Sequence, residues 1–247
     1  MREAPAFYAV RGGRAADWWT ILHPPYTVWH LSYVVLGAAM ARHLDWSALG
    51  ISLLAFLLAV GLAAHALDER MGRPLRTRIP DRVLTAVAAA SLMGAAALGL
   101  YGAFWWGAVN WPLVIAVPVG AVLVVGYNLE LAGGRLHNDL TFGLGWGGFP
   151  VVVGYVAQAP GFSWRGLLAA ATATAAGVAL TYAQRSLSTP ARSLRRRIRD
   201  VSGTITMAEG ELVALDRGVL IAPLERTLRA LSWGVPLVAL TVLATHL

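Results

Sequence analysis

The feature that most constrains this sequence is a succession of long apolar segments separated by short stretches that carry arginine. Of its 247 residues 57% are hydrophobic and only 13% are charged, and the mean hydropathy is +0.59. Soluble domains usually carry about a quarter charged residues. The sequence therefore predicts an all-α protein, a polytopic bundle of transmembrane helices.

The apolar runs give about seven predicted membrane spans. They cover residues 25–41, 49–67, 83–101, 111–129, 140–156, 167–182 and 230–243. Arginine is concentrated in alternate connections, and the other connections keep few basic residues, such as Arg42 and Arg165. Because arginine-rich loops stay in the cytoplasm, this distribution predicts a multi-pass protein of the cell membrane with a cytoplasmic N-terminus.

The whole chain, residues 1–247, is predicted to form one integral membrane domain. Residues 17–185 form its helical core, residues 186–229 a basic cytoplasmic loop, and residues 230–247 the last transmembrane helix. The loop is interpreted first as a topology determinant that contacts anionic lipid head groups, with binding of a phosphate-bearing substrate as the alternative. Because the arginines are assigned to membrane topology and lipid contact, the net charge of +7 is not interpreted as a nucleic-acid-binding surface, and no nucleic-acid partner is predicted. The absence of cysteine excludes disulfides, thiol nucleophiles and cysteine-ligated zinc.

A dense polar stretch, HALDERMGRPLRTRIPDR, begins at His65 at the end of the second span. If the helix continues through it, His65 and Glu69 share one face, and Asp68 lies three residues from His65. Carboxylates near a bilayer are costly unless they are paired or coordinated, so these three groups predict a functional site at the cytoplasmic end. The alternative is a solvated helix end whose acids pair with the arginines that follow.

A second polar cluster follows the fourth span, on the same predicted side of the membrane. Gly133 and Gly134 break the helix there, and the polar side chains around them are Tyr127, Glu130, Arg135, His137 and Asp139. The alternative is an ordinary polar loop. The glycine-rich segment GLGWGGFP then predicts a kinked fifth span that neighbouring helices approach closely.

Two of these stretches together resemble the UbiA superfamily of membrane prenyltransferases. One is DERMGRPLRTRIPDR, and the other is YNLELAGGRLHNDLTFGLGWGGFP. The resemblance covers roughly residues 18–199. It implies a helical bundle whose active site opens to the cytoplasm, and an enzyme that transfers or cyclises the prenyl group of an isoprenoid or other long-chain lipid. It also implies Mg²⁺ held by carboxylates against a diphosphate.

The resemblance further implies roles for individual residues. Asp68, Glu69 and Glu130 are expected to be catalytic. The residues expected to bind substrate are Arg73, Arg76, Arg78, Tyr127 and Arg135. The sequence departs from the family pattern at His65, which stands where a middle aspartate is expected, and in TYAQRSLSTPARS, which has no acid where the second aspartate motif belongs.

These departures leave two further hypotheses. A mixture of imidazole and carboxylate suits iron, zinc or manganese better than magnesium, which predicts a transition-metal enzyme acting on a lipid. Its candidate ligands are His65, Asp68, Glu69, Glu130, His137 and Asp139. His23 and His30, from the first span, are either additional ligands or structural. The third hypothesis is a lipid-binding or assembly protein without catalysis.

Overall fold

The computed structural model describes residues 4–10, 12–158 and 163–247, and its regular structure is mostly helical. The α-helices are α1 (Arg14–Leu22), α2 (Pro24–Ala39), α3 (Trp46–Phe56), α4 (His65–Arg70), α5 (Asp81–Ala103), α6 (Trp111–Asn128), α7 (Asp139–Phe142), α8 (Phe149–Ala157), α9 (Trp164–Arg196) and α10 (Arg217–Leu243). Two π-helical segments, Leu57–Ala64 and Gly143–Gly148, join α3 to α4 and α7 to α8. An antiparallel hairpin of β1 (Ser202–Thr206) and β2 (Leu212–Asp216) lies between α9 and α10.

Six helical segments of the described chain are long and apolar enough to cross a membrane. They are Trp46–Arg70, Asp81–Ala103, Trp111–Asn128, Asp139–Ala157, Trp164–Arg196 and Arg217–His246. The first predicted span corresponds to α2, which has only 16 residues. Such a helix is about 24 Å long, shorter than the roughly 30 Å hydrocarbon core of a bilayer. Six of the seven predicted spans therefore have a counterpart of spanning length.

The glycines of the fifth span allow close helix packing, as the sequence predicts. A Cβ on Gly147 would lie 2.3 Å from the carbonyl oxygen of Gly177 in α9, and a Cβ on Gly154 would lie 2.2 Å from the carbonyl oxygen of Val34 in α2. These distances are too short for any side chain, so the backbone of the fifth span contacts those of α2 and α9 only because glycine is present. The same span contains the π-helical turn Gly143–Gly148.

The segment predicted as a basic loop, residues 186–229, is largely ordered into helix and hairpin. Helix α9 continues to Arg196 because the buried residues Gln184, Ser188, Ala191 and Leu194 recur at helical spacing and form a packed stripe. Helix α10 begins much earlier than the predicted last span, at Arg217, where the Asp216 carboxylate accepts a hydrogen bond from the Val219 N–H at 2.9 Å. Because this segment is rich in polar residues, the helical spacing of its buried side chains was not evident from the sequence.

Buried polar contacts join α2 to α9 inside the bundle. Trp29 and Tyr33 are fully buried, and Trp29 Nε1 donates to Tyr33 Oη at 2.6 Å. The hydroxyl of Thr181 in α9 donates to the same Tyr33 oxygen at 3.1 Å. These bonds satisfy polar groups that have no access to water, and they fix the register of the helices below the site described next.

Candidate functional site

A polar cavity of about 480 Å³ lies at one end of the bundle. It is enclosed by the N-terminal segment, the start of α2, α4, the end of α6, the end of α9 and α10. Both predicted polar clusters reach it, since its wall includes His65 and Asp68 from the first cluster and Tyr127, Glu130 and His137 from the second. The structure therefore brings together two groups that the sequence could only place on the same side.

Glu69 does not face this cavity, contrary to the expectation that it shares a face with His65. The side chain is fully buried, and Oε2 accepts a hydrogen bond from the Leu75 N–H at 2.8 Å. Oε1 accepts two more at 2.8 Å, from the N–H and the hydroxyl of Thr77. The loop after α4 folds back over this side of the helix, so the carboxylate holds the loop, while Asp68 takes the position beside His65.

The arginines of the same loop also lie outside the cavity wall. Arg73 donates from Nη1 to the Ile79 carbonyl at 2.5 Å and forms an ion pair with Asp81. Arg76 and Arg78 are exposed. None of the three lines the cavity, because Arg73 is used to close the loop and the other two point to its outer surface.

Arg135 and Asp139, from the second cluster, are likewise outside the cavity wall. Arg135 is exposed. Asp139 forms an ion pair with Arg185 Nε at 2.5 Å, and the Arg185 guanidinium carbon lies 5.8 Å from the ring centre of Tyr127 and 5.0 Å from that of Phe142. Asp139 therefore positions Arg185, which does line the cavity.

The cationic wall of the cavity comes from the end of α9. Arg195 is neutralised by the carboxylate of Glu225, to which it donates from Nε and Nη2. Arg192 donates only to the hydroxyls of Ser188 and Thr189, at 3.3 and 3.2 Å. Arg196 donates from Nε to the Pro5 carbonyl at 3.1 Å.

Within the described residues, neither Arg192 nor Arg196 forms an ion pair with a carboxylate. They lie one helical turn apart, so two guanidinium groups without a salt bridge are neighbours on one face of α9, and the Asp68 carboxylate in the cavity wall attracts both. Guanidinium binds phosphate oxygens in a bidentate manner, and a pair of them suits a dianionic group. From the sequence, phosphate binding was only the alternative to a topology role for this arginine run, and the four-residue spacing of Arg192 and Arg196 was the available signal.

Four histidines line the cavity, and all are anchored in the same way. His23, His30, His65 and His137 each place Nδ1 against a backbone carbonyl oxygen. The partners are Ile21, Trp146, Gly61 and Tyr127, at 2.7, 2.9, 3.2 and 3.2 Å. A carbonyl only accepts, so Nδ1 carries the proton and Nε2 keeps a lone pair in the neutral ring.

His23 and His65 form the centre of this group. Their rings stack with centroids 4.0 Å apart. Burial, reinforced by the neighbouring His65 ring, lowers the pKa of His23 well below its ordinary value. His23 is therefore a neutral hydrogen-bond acceptor at physiological pH.

The predicted metal ligands do not assemble into a metal site. Within the described residues, no three His, Asp or Glu side chains form a group that could hold a metal ion. Glu69 is occupied by the loop, Asp139 pairs with Arg185, and the largely exposed Glu130 lies 3.9 Å from His137 Nδ1. Among the described residues, the donors expected for magnesium or for a transition metal are therefore not gathered in one place.

An apolar groove meets the polar cavity at Trp146, which lines both. The groove runs between the π-helical segment Leu57–Ala64, α5, α6 and the fifth span. Its walls are built largely from small side chains, among them Ala59, Ala95, Gly99, Ala116, Gly120 and Gly145. At the junction the Trp146 ring lies 4.5 Å from the Tyr127 ring and stacks on Phe142 at 5.3 Å.

The N-terminal segment covers one side of the cavity, since residues 5–8 line it. The Tyr8 ring lies 4.9 Å from His23 and 5.5 Å from Tyr26, and Phe7 packs edge-on against Tyr26 at 6.1 Å. Burial raises the pKa of Tyr8 well above its ordinary value, so its phenol stays protonated. The segment thus places neutral rings and the Pro5 carbonyl beside the cationic wall.

Comparisons of the chain with protein-family models, with curated protein sequences and with solved structures find no match.

Proposed function

We propose that the protein is a membrane enzyme that acts on an isoprenoid or other long-chain lipid with a phosphate-bearing head, by transfer or cyclisation of the prenyl chain. The observation that carries this proposal is the position of Trp146, which belongs both to a cationic cavity and to an apolar groove. Such a pair of compartments matches an amphiphile, with the charged head in one and the hydrocarbon tail in the other.

The head group is assigned to Arg192 and Arg196. Neither forms a salt bridge with a carboxylate of the described chain, and the single Asp68 carboxylate of the cavity wall is shared between them. Like charges at this spacing also repel each other. A phosphate or diphosphate removes that repulsion and replaces weak bonds to hydroxyl and carbonyl oxygens with charge-assisted ones. In this proposal the arginines supply the positive charge that the family resemblance would assign to magnesium.

The reaction follows from the rings at the junction. The bond between C1 of the prenyl chain and the diphosphate oxygen breaks, and its electron pair leaves with the diphosphate, so positive charge develops at C1. The ring of Trp146, which lines both compartments, is assigned to stabilise this cation. An electron pair from a nucleophilic acceptor, or from a double bond of the same chain, then forms the new bond to C1.

Proton removal completes this chemistry. The acceptor, or the cyclised cation, loses one proton, and a neutral imidazole with a free Nε2 is a suitable base. His65 and His23 provide that atom at the cavity wall. Asp68 lies beside them in the wall and is assigned to orient the acceptor.

The proposal places the cavity at the cytoplasmic face of the cell membrane. Support comes from the arginines at the end of α9, which concentrate positive charge at the cavity end of the bundle. Basic residues flanking spans are retained in the cytoplasm. The anionic head groups of the inner leaflet would then attract the same surface.

A lipid-binding protein without catalysis is the second candidate. It keeps the same two compartments for the lipid and omits the reaction. Both candidates bind a lipid, but only the enzyme converts it. Release of inorganic pyrophosphate from a bound prenyl diphosphate distinguishes them.

The experiment measures binding of radiolabelled farnesyl diphosphate to the purified protein in detergent, followed by pyrophosphate release. The wild type is expected to bind saturably, and the Arg192→Ala/Arg196→Ala variant is expected to bind at least about tenfold more weakly. Arg76→Ala, an exposed arginine outside the cavity, is the matched control and should behave as wild type. Equal binding by all three proteins would contradict the proposed head-group site, and binding without pyrophosphate release would favour the non-catalytic candidate.

A further inference from the structure

We propose that the hairpin of β1 and β2 joins two copies of the chain, by antiparallel pairing of β1 with β1 of a second copy. All five residues of β1 are exposed, and in β2 only Val213 and Leu215 are partly buried. The helical bundle therefore covers little of the hairpin. An isolated two-stranded hairpin is only marginally stable in water, whereas three or more strands with an apolar face are stable. A partner that adds strands would supply what the hairpin lacks.

Strand β1 offers the open edge of this sheet. The Met207 N–H donates to the Glu211 carbonyl at 2.8 Å, and backbone groups that face the neighbouring strand alternate with groups that face away. Ser202, Thr204 and Thr206 therefore direct their N–H and C=O groups away from β2. The strand SGTIT contains no charge and no proline, the features by which natural proteins block an exposed edge.

The outer edge of β2 is protected instead. Its last residue, Asp216, places a charge within the strand, which opposes edge pairing. The same carboxylate accepts a hydrogen bond from the Val219 N–H at 2.9 Å, so the strand leads directly into α10, which lies against it. These features leave β1 as the edge for a second copy and limit the assembly to four strands in the order β2–β1–β1–β2.

A two-fold axis through Thr204 gives the register. Because Thr204 directs its backbone groups outward, it is able to form a hydrogen-bonded pair with Thr204 of the second copy, and Ser202 then pairs with Thr206 of that copy. Hydroxyl side chains paired in this way stabilise a sheet. Continued beyond β1, the same register brings the exposed Arg199 of each copy to the exposed Glu209 of the other. The pairing is therefore complementary in charge at both ends.

The opposite face of the four strands is apolar. In each hairpin Ile205 is paired with Val213, and Gly203 with Leu215. A Cβ on Gly203 would lie 3.7 Å from Leu215 Cδ2, so the leucine side chain covers the glycine. The two-fold axis places Ile205 opposite Gly203 of the second copy, within reach of the leucine that covers it. Contact between these aliphatic side chains removes apolar surface from water.

A second copy suits the hairpin better than the lipid surface does. Helix α9 has 33 residues, a length of about 50 Å, and the hydrocarbon core is only about 30 Å thick. In the proposed topology Trp164 lies at the outer interface, so the other end of α9 projects about 20 Å beyond the core. A head-group layer is roughly 6 Å thick. The hairpin that follows α9 is therefore held away from the head groups.

Disulfide cross-linking tests the register, since the chain has no cysteine. Thr204→Cys is expected to form a covalent dimer under mild oxidation in detergent, because a hydrogen-bonded pair places its Cα atoms about 5.5 Å apart, a distance that a disulfide spans. Ser202→Cys lies about 13 Å from the same residue of the second copy, and so does Thr206→Cys. Neither should cross-link alone, but the two variants should cross-link to each other when they are co-expressed.

Ala214→Cys is the matched control. Ala214 is exposed and lies opposite Thr204 on the same face of the hairpin. It belongs to β2, so the two copies of this residue would be three strand spacings, or about 14 Å, apart. This variant should not form a disulfide.

Sedimentation of the purified protein in detergent measures the strength of the dimer. Thr204→Pro removes an N–H that the hairpin itself does not use, and it should weaken the dimer at least about tenfold. Arg199→Glu should weaken it about fivefold, and the double variant Arg199→Glu/Glu209→Arg should restore it.

Cross-linking of Thr204→Cys and of the mixed pair, together with a weaker dimer in Thr204→Pro, is the supporting result. A monomeric wild type, equal cross-linking of Ala214→Cys and Thr204→Cys, or a dimer that Thr204→Pro leaves intact would overturn the proposal. Shielding of Thr204→Cys from a charged thiol reagent by anionic vesicles, without dimer formation, would show that lipid covers the strand and would overturn it as well.

Discussion

Thr77 donates both its backbone N–H and its hydroxyl to a single oxygen of the Glu69 carboxylate, each at 2.8 Å. The other oxygen accepts from the Leu75 N–H. A fully buried acid at the end of a membrane helix thus serves to hold the loop that follows it.

Replacement of Glu69 is therefore expected to destabilise the fold. Glu69→Ala leaves three buried donors without partners, which should lower the free energy of unfolding by about 3 kcal/mol. Glu130→Ala, at an exposed acid of the second cluster, should cost less than about 0.5 kcal/mol. Thermal unfolding in detergent measures both, and a Glu69→Ala protein as stable as the Glu130→Ala protein would contradict this role.

Binding of a prenyl diphosphate is expected to be independent of divalent metal. The arginines of α9 supply the positive charge, and the described His, Asp and Glu side chains form no metal-holding group. The dissociation constant of farnesyl diphosphate should therefore be the same in EDTA as in magnesium, while elemental analysis finds no stoichiometric iron, zinc or manganese. A large loss of affinity in EDTA would restore the magnesium role that the family resemblance implies.

The N-terminal segment is expected to restrict access to the cavity. The chain has no cysteine, so a single introduced thiol reports accessibility without background. Ser188→Cys, buried in the cavity wall, should react slowly with a charged thiol reagent and several-fold faster when Phe7 and Tyr8 are also replaced by alanine. Ser186→Cys, exposed on the same helix, is the control and should react quickly in both backgrounds. Equal rates for Ser188→Cys with and without the two rings would show that the segment does not cover the site.

Stability is expected to fall in mild acid because His23 is buried in its neutral form. The pKa of His23 is lowered in the folded protein, so below about pH 6.5 the unfolded chain binds the extra proton and the folded chain does not. Stability attributable to this residue is therefore present above that pH and is lost as the pH falls, by up to about 1.4 kcal/mol per pH unit.

The His23→Asn variant isolates this contribution. Asparagine tolerates the left-handed backbone at this position, where φ is 46°, and its amide is able to donate to the Ile21 carbonyl. Between pH 7.5 and 5.5 the variant should lose about 1 kcal/mol less stability than the wild type. His43→Asn, at an exposed histidine, should follow the wild type. Parallel pH profiles for all three proteins would contradict a buried neutral His23.

The sequence predicted the helical bundle because apolar runs of spanning length dominate the chain. It also singled out the segments that carry the cavity, since His65, Asp68, Tyr127 and His137 all line it. The two clusters end the second and fourth apolar helices, which run in the same direction, so both lie at the same end of a small bundle and are expected to be close to each other.

The sequence could not determine which of two neighbouring polar residues faces the cavity. Asp68 and Glu69 differ only in rotation around one helix, and the loop that takes Glu69 is held by tertiary contacts. Likewise, which arginines face the cavity depends on pairing, because Arg73 forms an ion pair with Asp81 whereas Arg192 and Arg196 form none within the described chain. The helical continuation of α9 that brings Arg192 and Arg196 into the site was hidden by its polar composition.

The most direct test of the account is photo-crosslinking with dodecyl phosphate that carries a diazirine at its terminal carbon. The adducts, mapped by mass spectrometry, should fall on residues that line the groove, such as Leu92, Gly99 and Leu113. They should disappear with excess farnesyl diphosphate and in the Arg192→Ala/Arg196→Ala variant. Adducts spread over exposed side chains such as Met93, Ile115 and Val122, unaffected by either treatment, would contradict a single site with its head in the cavity and its tail in the groove.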